Sequence, residues 1–76
     1  MVMAASSNVG PWAVSVDWQN AHVEDTLNGE VFTASVTRSA EGYELAEVWT
    51  NGLADCTADI PAKVKSKARA LVATLG

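Results

Sequence analysis

The chain has 76 residues, of which 49% are hydrophobic and 18% are charged, and its net charge is −4. This length allows one domain at most, and the apolar content is too high for a disordered chain. One cysteine and one histidine exclude a disulfide framework and a structural zinc site, and no run approaches the ~20 apolar residues that a membrane-spanning helix needs.

Residues 1–10 (MVMAASSNVG) are predicted to form a flexible N-terminal tail, because their small and polar side chains offer little to bury. The segment also lacks the basic start and the long apolar run of a secretory signal. Together with the single cysteine, which suits a reducing compartment, this predicts a cytoplasmic protein. A single domain is expected over residues 11–76.

The segment PWAVSVDW, residues 11–18, alternates between apolar and polar side chains, which is the period of a strand with one buried face. Its apolar row consists of Trp12, Val14, Val16 and Trp18. Residues 19–29 (QNAHVEDTLNG) are ambiguous. The pair Asn28 and Gly29 is a hairpin-turn signal that favours a short edge strand, whereas Asn20 and Gly29 also suit the cap and the end of a short helix. We favour the strand.

Residues 30–38 (EVFTASVTR) and 43–50 (YELAEVWT) are predicted to pair as a β-hairpin, with Gly42 in the turn. The first strand has one apolar row, formed by Phe32, Ala34 and Val36. The second strand carries a carboxylate on each face. Glu47 shares one face with Tyr43, Leu45 and Trp49, and Glu44 shares the other with Ala46 and Val48.

This conflict leaves two interpretations of the strand at residues 43–50. Burying Glu47 without a partner would cost more free energy than burying Leu45 returns. The strand therefore either bulges between Glu47 and Trp49, or buries its other row and points the Trp49 row outward. In the second case the Trp49 ring is exposed.

Residues 60–76 (IPAKVKSKARALVATLG) are predicted to form an amphipathic helix, with Pro61 in its first turn. The apolar stripe consists of Val64, Ala68, Leu71, Val72 and Leu75. Because no second long helix is available, this stripe must cover the sheet. The predicted fold is α+β, a small antiparallel sheet of three to four strands with one C-terminal amphipathic helix packed on one face.

Charge is divided along the chain. All nine acidic residues precede position 60, and residues 1–60 hold a single arginine, so that segment has a net charge of −8. The helix carries the other basic residues, Lys63, Lys65, Lys67 and Arg69. We expect the aliphatic parts of these side chains to lie along the sheet and their charged groups to remain in water, near strand carboxylates. The acidic remainder would repel phosphates and the helix stripe is needed for the core, so neither nucleic-acid nor membrane binding is expected.

The sequence offers little for catalysis. Cys56 lies ahead of the helix between Asp55 and Asp59, which disfavour a thiolate, so we predict an inert packing residue. His22, the only imidazole, is predicted to be a solvated loop residue. No Gly-rich phosphate loop, nucleophile motif or metal-ligand spacing is present. We therefore expect no catalytic residue, no cofactor and no metal.

The predicted binding surface is the strand at 43–50 and its hairpin. Glu41, Tyr43, Glu44, Glu47 and Trp49 would form an acidic and aromatic patch on it. Exposed aromatic rings beside carboxylates are typical of protein-binding hot spots, and the carboxylates favour a basic partner. A sheet face without a helix, and strand edges with unpaired backbone groups, also predict a homodimer.

These features predict a small non-catalytic protein-binding module that occupies the surface of a partner. In size and charge only, the chain is similar to phage-encoded inhibitors of bacterial defence systems, and no motif carries the likeness. That similarity implies an inhibitor. The alternatives are a minimal enzyme or small-ligand-binding protein whose pocket forms in a homodimer, and a purely structural subunit.

Overall fold

The structure is a computed structural model and describes residues 3–76. Its elements are β1 Ala4–Val9, β2 Trp12–Asp17, β3 Asn20–Asp25, β4 Glu30–Ser39, β5 Gly42–Leu45, β6 Thr50–Asn51, β7 Ala54–Asp55, a 3-10 helix at Thr57–Asp59, and α1 Ala62–Val72. Every strand pair is antiparallel, and the order across the sheet is β1-β2-β3-β4-β6-β7, with β5 paired to the C-terminal half of β4. The fold is therefore α+β, with α1 packed on one face.

The prediction of a sheet of three to four strands is wrong, because the sheet has seven. One added strand is β1, which lies within the segment that was predicted to be a flexible tail. Gly10 adopts a φ of 56° in the turn that joins β1 to β2, so the two strands pair along their whole length from Ala4 to Asp17. Backbone pairing, which needs no large side chain, thus orders a segment of small polar residues.

The first half of the sheet otherwise follows the sequence pattern. Residues 20–25 form β3, which confirms the extended interpretation of the ambiguous segment. In β2 the predicted row is buried at Val14 and Val16, and Trp12 packs against Phe32 with ring centroids 6.0 Å apart. The expectation that Trp18 is buried is wrong, because β2 ends at Asp17 and the Trp18 side chain is 50% exposed in the turn that follows.

The segment at 43–50 is not one continuous strand. β5 ends at Leu45 and the chain leaves the regular sheet before β6 begins at Thr50. This interruption resolves the parity conflict, because Leu45 packs against the core, Glu47 stays exposed and Trp49 is buried again. The outward-facing alternative for Trp49 is therefore wrong. The break does what the bulge alternative required, but it begins earlier in the chain.

The core lies between one sheet face and α1. It consists of Val14, Val16, Ala21, Val23, Phe32, Ala34, Val36, Trp49, Ile60, Val64, Ala68, Val72 and Leu75. The helix stripe is confirmed at Val64, Ala68 and Val72, while Leu71 is only partly buried against the core. The predicted extent of 60–76 is too long, because α1 ends at Val72 and Leu75 reaches the core from the segment that follows it. The helix lies over β1, β2, β3 and β5.

The opposite sheet face is polar. One row of cross-strand neighbours runs Ser6, Ser15, His22, Thr33 and Thr50. Val31 is exposed on this face, but Leu45 pairs with Val36 on the helix side and Trp49 is in the core. A homodimer through an apolar bare face is therefore without support.

Candidate functional site

A groove of about 300 Å³ lies between β5 and the C-terminal half of α1. Its lining consists of Tyr43, Glu44, Leu45, Glu47, Arg69, Val72 and Ala73. The register of β5 explains its apolar part. Leu45 is opposite the buried Val36, and Tyr43, two residues earlier, points to the same side of the strand. Both side chains are only partly buried against the core, so apolar surface remains in the groove.

The charged wall of the groove contains an ion pair. The Nε of Arg69 donates a hydrogen bond to Glu47 Oε1 at 2.7 Å, and its Nη2 donates to the same oxygen. Both side chains are 55% exposed, so the pair contributes at most about 1 kcal/mol to stability. A basic helix side chain thus meets a carboxylate as expected, although Glu47 lies between β5 and β6 and not in a strand. Lys65 behaves differently, since its Nζ donates to the Thr57 carbonyl oxygen at 2.9 Å.

Two carboxylates beside the groove have no cationic partner among the described residues. Glu44 is exposed, and its Oε1 is 3.5 Å from the Ser39 hydroxyl. Glu41 is exposed in the turn between β4 and β5, where its backbone N–H donates to Ser39 Oγ at 3.2 Å. The groove therefore keeps an acidic character although Arg69 neutralises Glu47.

Trp49 does not belong to this surface. Its side chain is 0% exposed, so the expectation that it forms part of an exposed patch is wrong. Its backbone explains the inward direction: the Trp49 N–H donates to Thr57 Oγ1 at 2.9 Å, and its carbonyl oxygen accepts from the Cys56 N–H at 2.7 Å. These bonds tie the segment to the chain that follows β7.

The structure brings Tyr43, Glu44 and Glu47 together in the groove, while Glu41 lies in the turn before β5 and is not part of the lining. Sequence reasoning missed the helix wall, Arg69, Val72 and Ala73. The helical stripe indicates that Val72 faces the sheet, but it does not indicate which strand lies beneath it. The spacing of apolar residues along a helix shows which side of the helix is buried, but it does not show which strand packs against that side.

A second hollow, of about 300 Å³, lies on the polar sheet face and contains Ser6, Ser15, Asp17 and His22. His22 was expected in a solvated loop, but it is half-buried in β3, directly opposite Ser15. No hydrogen bond joins Ser15 to His22 in the described part of the chain, and a serine nucleophile needs a base within that reach. We therefore assign no catalytic triad to this hollow.

The carboxylate of Asp17 instead holds the turn between β2 and β3. The backbone N–H groups of Asn20 and Gln19 each donate to its Oδ1 at 2.8 Å, and they lower the pKa of Asp17 below its ordinary value of 3.8. A carboxyl group whose pKa is lowered by folding stabilises the protein above the unfolded pKa. That stability is lost as the pH falls through the folded pKa.

We therefore predict that Asp17→Asn destabilises the protein at neutral pH and that the difference from wild type shrinks below pH 3.8. The loss should be no more than about 1 kcal/mol, because the group is accessible to solvent. Urea denaturation at neutral and at acid pH measures both values. A difference that stays constant across this range would show that the Asp17 charge does not hold the turn.

Cys56 is half-buried, and its Sγ lies 3.7 Å from the carbonyl oxygen of Ala54. The neighbouring Asp55 accepts hydrogen bonds from the side chain and the backbone of Thr57, and these lower the pKa of Asp55. Among residues 3–76, no group of three or more His, Cys, Asp or Glu side chains is placed to hold a metal ion. No helix in that same range is long and apolar enough to cross a membrane.

No protein-family model, curated protein or solved structure matches this chain. Three of the five predicted binding residues meet partly exposed apolar surface in the groove between β5 and α1.

Proposed function

We propose that this protein is a non-catalytic protein-binding module, and that the groove between β5 and α1 is its binding site. The observation that carries the proposal is the composition of the groove: the partly exposed Tyr43 and Leu45 share its lining with the acidic residues Glu44 and Glu47. Binding hot spots combine a large anchoring side chain with a polar rim in this way. The protein then acts as an inhibitor, by occupying a surface that its partner uses.

The partner of this groove is a basic protein. Its apolar side chain packs against Tyr43 and Leu45, and its lysine or arginine pairs with Glu44. Residues 1–60 carry a net charge of −8, so the field around the sheet attracts a cationic surface and accelerates its association. A cytoplasmic location belongs to the same proposal, because a free, half-buried cysteine suits a reducing compartment.

The test begins with affinity capture from the native host and identification of the bound protein by mass spectrometry. Surface plasmon resonance of the purified pair then compares wild type with Tyr43→Ala and Glu44→Lys. The matched control is Glu24→Lys, which makes the same charge change at an exposed position on β3.

We expect Tyr43→Ala to weaken binding about 30-fold, through faster dissociation, because truncating a hot-spot aromatic residue costs about 2 kcal/mol. Glu44→Lys should mainly slow association, by an amount that shrinks as the salt concentration rises. Glu24→Lys should leave the dissociation rate unchanged. If Tyr43→Ala and Glu44→Lys both fold and both bind like wild type, the groove is not the interface.

A further inference from the structure

β1 is an edge strand that lacks the features which usually prevent an edge from pairing with another chain. It pairs with β2 on one side, and no described residue pairs with its other side. In an antiparallel pair every second residue directs its N–H and C=O away from the partner strand, so β1 presents a row of free donors and acceptors. Its sequence, AASSNV, contains no charged residue and no proline, which are the features that commonly block an edge.

The strands at the other end of the sheet differ from β1. β7 has two residues and contains Asp55, while β5 has four and contains Glu44. Two copies of a chain with a net charge of −4 repel each other, and a carboxylate at the contact adds to that repulsion. β1 is six residues long and uncharged, so it is the described edge at which two copies can meet without opposing like charges.

We propose that two copies of this chain associate through β1, with the two β1 strands antiparallel about a two-fold axis perpendicular to the sheet. An identical strand is self-complementary in this arrangement, because each copy offers the same alternating donors and acceptors. The result is one continuous sheet with both helices on the same face. This proposal is independent of the groove at β5.

The alternation of β1 side chains fixes the register. Ala5, Ser7 and Val9 are partly buried on the helix side, and Ala4, Ser6 and Asn8 are exposed on the polar side. Since a strand must oppose core-facing residues with core-facing residues, even-numbered residues face even-numbered residues across the axis. Val9 and Trp12 close the two-residue turn to β2, so the odd-numbered residues bond to β2 and Ala4, Ser6 and Asn8 carry the free backbone groups. The register that pairs all three of them places Ser6 opposite Ser6 of the second copy and Ala4 opposite Asn8. These small side chains leave the backbones free to approach.

Sedimentation velocity over a micromolar to millimolar concentration series tests the proposal. Wild type should form a dimer, while Ser6→Lys and Ser6→Glu should each be monomeric because like charges meet at the axis. An equimolar mixture of the two variants should recover the dimer, since unlike charges then face each other. Ser35→Lys is the matched control, an exposed serine on the central strand β4, and its dimerisation should equal that of wild type.

A covalent test does not depend on these charged variants. In a Cys56→Ala background, Ser6→Cys should form a disulfide-linked dimer on mild oxidation, as seen by non-reducing electrophoresis, whereas Ser35→Cys should form no disulfide link between the copies. Wild type that remains monomeric throughout the series overturns the proposal, as does a dimer that Ser35→Lys disrupts and Ser6→Lys does not. The dependence on salt distinguishes the two proposed interfaces. A higher salt concentration should weaken the binding of a basic partner in the groove but should not weaken an uncharged contact between β1 strands.

Discussion

Replacing Trp49 by alanine is expected to remove a large part of the stability of the protein. The Trp49 side chain is 0% exposed and is one of the largest in the core, and truncations of this kind cost about 3–5 kcal/mol. At the usual 0.05–0.15 kcal/mol per residue, a domain of this length has a total stability of about 4–11 kcal/mol. Circular dichroism during urea and thermal denaturation should show a melting temperature lowered by well over 10 °C, on the basis of about 4–8 °C per kcal/mol.

Two other tryptophan variants control this result. Trp18→Ala removes the same side chain at a position that is 50% exposed, and it should change stability by only about 0.5 kcal/mol. Trp49→Phe keeps most of the ring and removes an indole N–H that is buried without an acceptor among the described residues, so it should cost much less than Trp49→Ala. A folded Trp49→Ala protein with the melting temperature of wild type would show that Trp49 is not a core residue.

Trp49 also shows where reasoning from sequence stops. Strict alternation in residues 11–18 and 30–38 predicted the buried rows correctly at Val14, Val16 and Phe32, because a period of two directly reports one buried face. At 43–50 the pattern showed a conflict but not its resolution. The resolution is a break in the strand that depends on hydrogen bonds to Cys56 and Thr57, and local periodicity does not report such contacts.

β1 was missed for a related reason. A strand of alanine, serine and asparagine has almost no contrast between its two faces, so it gives no alternation to detect. Only Gly10 and Pro11 signalled a turn, and a turn signal does not by itself indicate that the preceding segment pairs with the following one. The strand count was therefore too low, while the helix, whose period is clear, was placed in the right segment but ends four residues earlier than predicted.

Only part of the lining of the candidate groove could be predicted from the sequence. Tyr43, Glu44 and Glu47 follow from their places in one strand, whereas Arg69 and Val72 join them only through the packing of α1. The proposed dimer and the proposed groove also fit together, because β1 and β5 lie toward opposite ends of the sheet order. A dimer through β1 would leave both grooves free, and two linked sites bind a repeated or dimeric partner more strongly than one.

The helix is expected to be required for folding, and a pair of alanines on α1 isolates that requirement. Ala68 is 0% exposed in the core, whereas Ala70 is exposed two positions later on the same helix. Each change to aspartate carries a similar loss of helix propensity, but only Ala68→Asp places a carboxylate against the sheet without a partner. The effective penalty for burying one such ion is several kcal/mol, which approaches the whole stability of a small domain.

Ala68→Asp should therefore abolish the cooperative urea transition, while Ala70→Asp should lower stability by about 1 kcal/mol or less. Because α1 is the only described element that covers the apolar sheet face, the strands should lose their fixed packing together with the helix. Tryptophan fluorescence adds a direct readout, since the buried Trp49 becomes solvated only if the core opens. If Ala68→Asp retains a wild-type transition and a buried Trp49 signal, α1 does not pack on the sheet through Ala68.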